Sequence, residues 1–327
     1  MMGLQFSMGR TAIGLTLLFI SGCGQPVKAP EAKTLSAAQQ KFLDICAQEH
    51  SLKVNTKSFP HTFWIYLPVE HRLVDYKSTQ DGPKKSKERS EKFVANYIDA
   101  VYKNGAFEIE YDISKSTSYP ISYGYSSIYT DEYQQTQTKI LGAFYRAYAG
   151  LKENLQDQEK SFEEKAESYE DFFKGLEKEN KPPEFVVLII ADVQKGLEIM
   201  SLFSFEDFFL AMVDPQVMPQ EEFSRRNISD LRGQDTVIGD YQGTHVNYED
   251  ITWPEFLAKQ IVNRVRFQYQ YSDFKPEEDH EEELLRIVAQ TTGTYHYTDF
   301  SAVNLYDLAT KTPYRFTPDQ LKSFLSE

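Results

Sequence analysis

The segment FVVLIIADV, residues 185–193, is apolar at nearly every position. A strand with one face in water would alternate apolar and polar residues, and this segment does not. We therefore predict a central β-strand that is buried on both faces. The segment HTFWIYLPV, residues 61–69, predicts a second strand.

A β-hairpin is predicted over residues 93–113, around Asn104-Gly105. Both residues tolerate positive φ, which a two-residue type I′ turn requires. One face of the resulting hairpin is apolar and the other mostly polar, and a shift of one residue would destroy that segregation. The expected pairs are Tyr102 with Phe107, Ala100 with Ile109, Ile98 with Tyr111, Val101 with Glu108 and Asp99 with Glu110. Asp99 and Glu110 could act as an acid/base pair, but the lack of shielding favours a solvated sheet face.

The second half of the chain repeats the order of helix and strand. Thr252 and Glu255 form a capping-box pattern for a helix over 253–263. Strict alternation in RVRFQYQY then predicts a strand over 264–271. A further helix precedes an alternating Tyr295 and Tyr297, and the sequence Thr-Pro-Asp-Gln at 317–320 predicts the start of a last helix.

These elements indicate an α+β fold of antiparallel strands and hairpins with packed helices. A helix directly before one or two strands is expected at four places, which suggests a weak repeat of small α/β units: 36–69, 133–203, 253–271 and 279–308. Residues 147–180 are rich in charge and sparse in apolar positions, and they predict one long exposed helical segment. Their apolar positions do not hold a continuous heptad, so a projecting helix or helical hairpin is favoured over a coiled coil.

The chain divides into four predicted regions: a signal peptide (1–22), a tether (23–35), an N-terminal α+β region (36–180) and a C-terminal α+β region (183–327). Lys181-Pro182-Pro183 marks the predicted boundary between the last two. Residues 35–50 are apolar at three- and four-residue spacings, which predicts a helix with one buried face. Cys46 lies on that face, and a buried, unreactive thiol is favoured over a catalytic or intermolecular one.

The N-terminus has the three-part layout of a secretory signal. Its apolar run, Thr11–Ile20, is about half of the roughly 20 residues that a transmembrane helix needs. Ile20-Ser21-Gly22-Cys23 resembles the lipobox of bacterial lipoprotein precursors, a likeness that covers only about the first 25 residues. The resemblance implies cleavage before Cys23, a diacylglyceryl group on its thiol and acylation of its new amine. A plain signal peptide with a chance cysteine is the alternative.

Gly24 follows the cysteine, and this resembles lipoproteins that are sent to the outer membrane where the host has two membranes. In a host with one membrane, the expected location is the outer face of the cell membrane. The tether is rich in Pro and Lys, so we expect a flexible stalk.

The charge of the chain limits its partners. Arg10 is the only charged residue of the predicted signal peptide, so cleavage changes the formal net charge from -14 to -15. Nucleic acids and anionic headgroups are bound through basic patches. We expect no nucleic-acid partner, and a body that stands off the membrane on its lipid anchor.

Most common motifs for catalysis are absent from the sequence: it has no Walker A, G-x-G-x-x-G, H-E-x-x-H, G-x-S-x-G or C-x-x-C pattern. Neither a metal nor a cofactor is predicted. Two regions are candidates for binding. A tyrosine cluster includes Tyr119, Tyr123 and Tyr125, and suits a glycan or protein surface, although packing between a sheet and helices is favoured. A loop rich in glycine and charge includes Arg225, Arg226, Arg232 and His245. Anion binding and internal Arg–Asp pairing are its two interpretations, and pairing is favoured.

The leading hypothesis is a lipid-anchored envelope protein with a non-enzymatic role in protein–protein interaction or assembly. A glycan- or peptidoglycan-binding module is the first alternative. A hydrolase whose site is assembled from distant residues is the second.

Replacing Cys23 with serine is expected to abolish acylation, because serine lacks the thiol that carries the diacylglyceryl group. The mass of the N-terminal peptide and the partition of the chain between detergent and aqueous phases would both report the loss. Cys46→Ala is the matched control and should keep the lipid. A wild-type N-terminal peptide without acyl mass would contradict the prediction.

Overall fold

The computed structural model of the chain describes residues 35–78, 90–118, 125–149, 173, 182–233, 247–271 and 280–325. The predicted signal peptide, Cys23 and all but the last residue of the predicted tether lie outside the described residues. So does nearly all of the predicted exposed helical segment after residue 149.

Helices and strands are intermixed along the chain. The helices are α1 (Ala37–His50), α2 (Asp131–Ala149), α3 (Phe205–Val213), α4 (Gln220–Arg226), α5 (Trp253–Tyr271), α6 (His280–Thr294) and α7 (Pro318–Leu321), and a 3₁₀ turn (Lys322–Leu325) follows. The strands are β1 (Asn55–Ser58), β2 (Thr62–Val69), β3 (Val74–Ser78), β4 (Ser90–Lys103), β5 (Ala106–Ser118), β6 (Tyr125–Tyr129), β7 (Phe185–Asp192), β8 (Leu197–Ser204), β9 (Ile228–Arg232), β10 (Ala302–Asp307) and β11 (Thr312–Phe316). The predicted α+β class is confirmed.

The described strands form three sheets. The first has the order β1-β2-β7-β8-β9, the second β11-β10-β5-β4, and the third pairs β3 with β6. Most neighbours are antiparallel, but β2 pairs with β7 and β5 with β10 in parallel. Both parallel pairs join strands from the two sides of residues 181–183. The predicted boundary therefore does not separate two sheets, and the described residues fall within one compact unit, Ala32–Glu327.

The predicted central strand is β7, and all eight of its residues are buried. Leu188 and its neighbours on one face share an apolar core with α1, α2, α3 and α4, in which Phe144 contacts Phe63 of β2 at 5.9 Å between ring centroids. Ile189 and its neighbours on the other face share a second core with α5 and α6. These two helices also cover the apolar face of the second sheet. Burial on both faces is thus confirmed.

The hairpin of β4 and β5 has the predicted register, including the pairs of Tyr102 with Phe107 and of Asp99 with Glu110. Asn104 and Gly105 have φ values of 53° and 76°, as the type I′ turn requires. The register shifts once, between Ala95 and Tyr97, at a bulge that the sequence did not indicate. Asp99 and Glu110 are exposed, which agrees with the solvated sheet face.

The predicted strand over 264–271 is wrong, because α5 continues without a break to Tyr271. Val265 and Tyr269 lie four residues apart and are both buried, as the face of a helix requires, whereas Phe267 between them is 65% exposed. Residues four positions apart lie on the same face both of a strand and of a helix, so the spacing of Val265 and Tyr269 fits either structure. The buried face of this segment packs against two sheets, and this packing favours the helix.

The alternation of Tyr295 and Tyr297 does not form a strand either, since β10 begins only at Ala302. Tyr295 packs on Trp253 of α5 instead, with 5.4 Å between ring centroids. Because 253–271 is a single helix, the predicted repeat of helix and strand fails there. The last predicted helix start is confirmed by the capping box of Thr317 and Gln320.

Cys46 is a buried free cysteine in α1, as predicted. Burial raises the pKa of its thiol to about 12, so the reactive thiolate is scarce at neutral pH. The helix begins with a capping box in which Ser36 and Gln39 exchange hydrogen bonds. A structural role for this thiol follows.

Gly105→Ala and Gly142→Ala are expected to change the free energy of unfolding in opposite directions. An added Cβ at Gly105 would lie 3.7 Å from Ser301 Oγ, an ordinary contact, so only the strain of positive φ opposes it. That strain should cost about 1 kcal/mol. Gly142 lies within α2 with open space at its Cβ, so alanine there should add about 0.5–1 kcal/mol of stability. Urea denaturation measures both, and equal shifts would contradict the turn assignment.

Candidate functional site: a cleft between two strand edges

A cleft of about 1120 Å³ lies between the first sheet, β4 and α5. Its floor is a row of cross-strand neighbours on one face of the first sheet: Trp64, Val187, Leu202 and Ile228. One wall is formed by the second half of α5, and the opposite side by residues of β4. We call this space the edge cleft.

Besides covering part of one face of the first sheet, the edge cleft runs along the edges of two strands. All five residues of β9, from Ile228 to Arg232, line it, and so do three consecutive residues of β4, 99–101. Successive residues of a strand point to opposite faces, so only a space beside the strand meets them all. Among the described residues, β9 and β4 are each the last strand of their sheet.

Exposed apolar side chains concentrate at this cleft. The described part of the chain exposes seven large apolar residues, and four of them line the cleft: Val101, Tyr129, Leu231 and Phe267. They come from four separate elements, β4, β6, β9 and α5. Apolar exposure that converges on one concavity is typical of an interaction site.

The charged groups of the cleft largely neutralise one another. Arg232 Nε lies 3.0 Å from Asp230 Oδ2, and Lys259 Nζ lies 3.4 Å from Glu249 Oε1. Asp99 and Arg266 complete the set of three acids and three bases. The cleft therefore has no net formal charge, and it lacks the basic excess that nucleic acids or other polyanions need.

A separate charge cluster ties α3 and α4 to α5 and the end of α6. Arg226 Nη1 donates to Asp207 Oδ1 at 3.0 Å, and Arg226 Nε donates to Glu222 Oε1 at 2.8 Å. The hydroxyl of Tyr295 donates to the other oxygen of Asp207 at 2.9 Å. Gln260 of α5 donates its side-chain amide to the carbonyl oxygen of Arg226. The carboxylate of Asp207 is only 6% exposed, so these partners compensate a buried charge.

The pKa shifts in the cluster have clear causes. The hydrogen bond from Arg226 lowers the pKa of Glu222. Burial, together with the negative charge of Asp207, raises the pKa of Tyr295, so its hydroxyl keeps the proton that it donates. Burial lowers the pKa of Arg264, with Arg226 adding a like charge. The cluster is a fixed electrostatic link between helices.

The three arginines proposed from the sequence do not form one anion site. Arg225 is exposed on α4 and pairs with Glu221, Arg226 belongs to the buried cluster, and Arg232 lies in the edge cleft beside Asp230. Each bonds to a carboxylate, and for Arg226 and Arg232 the carboxylate belongs to an aspartate, as the Arg–Asp interpretation expects. His245 lies outside the described residues.

The tyrosine cluster is only partly described. Tyr119 and Tyr123 lie outside the described residues, and for Tyr125 the structure describes the backbone in β6 alone. Two further tyrosines of that region are visible. Tyr133 is buried in the core of α1 and α2, while Tyr129 is exposed at the cleft.

The residues of the edge cleft were missed by sequence reasoning. Strict alternation places Phe267 on the apolar face of the predicted strand over 264–271. In a helical projection it lies opposite the stripe of Leu257, Ile261, Val265 and Tyr269, so an aromatic residue on the wet side of a helix was the available signal. No local sequence pattern predicts the exposure of Leu231, because that exposure depends on which strand ends the first sheet.

Comparisons with known proteins gave no match: the chain resembles no protein-family model, no curated protein sequence and no solved structure. Within the described ranges, no group of three or more His, Cys, Asp or Glu residues is arranged to hold a metal ion. No helix in this part of the chain is both long and apolar enough to cross a membrane.

Arg226→Ala is expected to lower the free energy of unfolding by about 2–4 kcal/mol, because it leaves the buried carboxylate of Asp207 without its cation. Arg225→Ala, on the neighbouring exposed residue, should change it by about 0.5 kcal/mol or less. Chemical denaturation at neutral pH measures both.

The difference in the free energy of unfolding between the wild-type chain and Arg226→Ala should also depend on pH. The hydrogen bond from Arg226 holds the folded-state pKa of Glu222 below its ordinary value. The contribution of Glu222 to stability is therefore complete above its unfolded pKa and is lost as the pH falls through the folded pKa. The deficit of Arg226→Ala should therefore shrink in acid. Equal costs for the two variants would contradict the structural role of Arg226.

Proposed function

We propose that the chain is exported, is anchored to a bilayer through acylated Cys23, and binds another protein of the cell envelope at the edge cleft without catalysis. In a host with two membranes, the anchor lies in the outer membrane and the body in the periplasm. In a host with one, the body faces outward from the cell membrane.

The observation that carries this proposal is the convergence of exposed apolar residues on one cleft. Four of the seven exposed large apolar residues in the described part of the chain line it. Soluble proteins rarely expose contiguous apolar surface without a partner for it. The same cleft holds two ion pairs, and protein–protein interfaces usually combine apolar side chains with polar and charged groups.

Charge favours a protein partner over the bilayer surface. The mature chain has a formal net charge of -15 after loss of Arg10, so anionic headgroups repel it. The lipid anchor supplies membrane attachment by itself, since two or more acyl chains bind a bilayer stably. The rest of the chain is therefore available to bind a partner that is soluble or lies in the membrane beside it.

A photoreactive phenylalanine analogue at position 267 is expected to cross-link the full lipidated chain to an envelope protein in cells. The same analogue in place of Met212, an exposed apolar residue outside the cleft, is the matched control and should give little product. Immunoblotting shows the adduct, and mass spectrometry identifies it.

Adducts of equal yield at both positions, or none at position 267, would contradict a binding site at the cleft. An adduct to glycan rather than protein at position 267 would replace the proposal with the glycan-binding alternative.

A further inference from the structure

We infer that the partner inserts an extended polypeptide segment into the edge cleft and pairs its backbone with the outer edge of β9. This mode of recognition rests on the proposed function and specifies the chemistry of the segment that is bound. It follows from the backbone groups, the charges and the side chains that face the cleft.

The backbone of β9 supplies the first constraint. Within the described residues, β9 pairs with β8 on one side only, over Ile228 to Arg232. Every second residue of such a strand directs its N–H and C=O groups outward. A ligand that satisfies them must present donors and acceptors in alternation at the spacing of a strand, which is what an extended polypeptide does. Five residues of strand extend about 17 Å, so a segment of about six residues suffices.

The charge of the cleft supplies the second constraint. Four of its six charged residues form two ion pairs within the cleft, Asp230 with Arg232 and Glu249 with Lys259. A charged segment would have to break these pairs or be buried beside them without a counter-ion, and both are unfavourable. A segment without charged side chains leaves both ion pairs intact and fits a cleft that has no net formal charge.

The side chains of β9 supply the third constraint. Ile228 ends the apolar row of the floor and lies opposite Leu202 on β8. Leu231 is exposed and, three residues along the strand, points to the opposite face of the sheet. Ser229 and Asp230 lie between them. A paired segment would therefore carry apolar side chains at two positions three residues apart, with small polar residues between and around them.

A designed peptide tests these constraints together. The fluorescein-labelled sequence Thr-Val-Thr-Thr-Val-Thr has valines three residues apart and reads the same in both directions, so it suits parallel and antiparallel pairing alike. Its comparator carries a methyl group on the backbone nitrogen of each valine. The side chains are unchanged, but one donor is lost on each edge of the peptide. Fluorescence anisotropy with the full lipidated chain in detergent micelles measures both affinities.

We expect the unmodified peptide to bind and the methylated one to bind at least about tenfold more weakly, since a backbone hydrogen bond is lost and a methyl group blocks the approach to β9. Leu231→Lys should weaken binding of the unmodified peptide by about tenfold. Leu308→Lys is the matched control, because Leu308 is an exposed leucine outside the cleft, and it should leave the affinity unchanged.

Two results would overturn the inference. Equal binding of the two peptides would mean that side chains alone are recognised, and no binding of either would mean that β9 does not accept a strand. Neither result bears on cross-linking at position 267, so failure of strand pairing is distinguishable from failure of the proposed function. The comparison of the unmodified and methylated peptides uses the native chain, so it does not depend on whether a variant folds.

Discussion

The burial of β7 on both faces is the constraint on which the rest of the structure depends. Its eight residues are all buried, so the first sheet must be covered on each side. The only carboxylate among them, Asp192, lies at the end of the strand and accepts hydrogen bonds from the backbone N–H groups of Gln194 and Lys195 in the turn to β8. Helices α1 to α4 cover one face, and α5 with α6 cover the other. Because these helices come from both halves of the chain, the described residues on the two sides of 181–183 share the same cores.

The helices on the two faces of the first sheet must also be held in place relative to each other at the end of the sheet. The cluster of Asp207, Arg226 and Tyr295 lies where elements of the two layers approach each other. A buried carboxylate with two hydrogen-bonding partners has little geometric freedom, and loss of one partner leaves an uncompensated charge. Arg226 is thus explained by the architecture, whereas the frequency of arginine in this part of the sequence also suited an anion site.

The same architecture explains why the candidate binding site lies where it does. Apolar faces are covered by helices, and the sides of the sheets are left. Edge strands carry hydrogen-bonding groups that neighbours within their own sheet cannot satisfy. In the described residues β9 and β4 border one space, whose walls also expose Phe267 and Val101. Backbone groups and apolar surface are therefore offered together, which is the combination that an extended segment of another protein needs.

What the sequence determined by itself was local or compositional. Asn104-Gly105 specified a type I′ turn, and the alternation around it specified a register, because both follow from the conformations that a few adjacent residues can adopt. The apolar run of β7 implied burial on both faces for the same reason. Only the tertiary structure decided between helix and strand at residues 264–271, where the spacing of Val265 and Tyr269 suits either period until two sheets close around α5. It alone also decided that β9 ends the first sheet beside β4. That arrangement depends on the parallel pairings of β2 with β7 and of β5 with β10, which join residues more than a hundred positions apart and which no local pattern encodes.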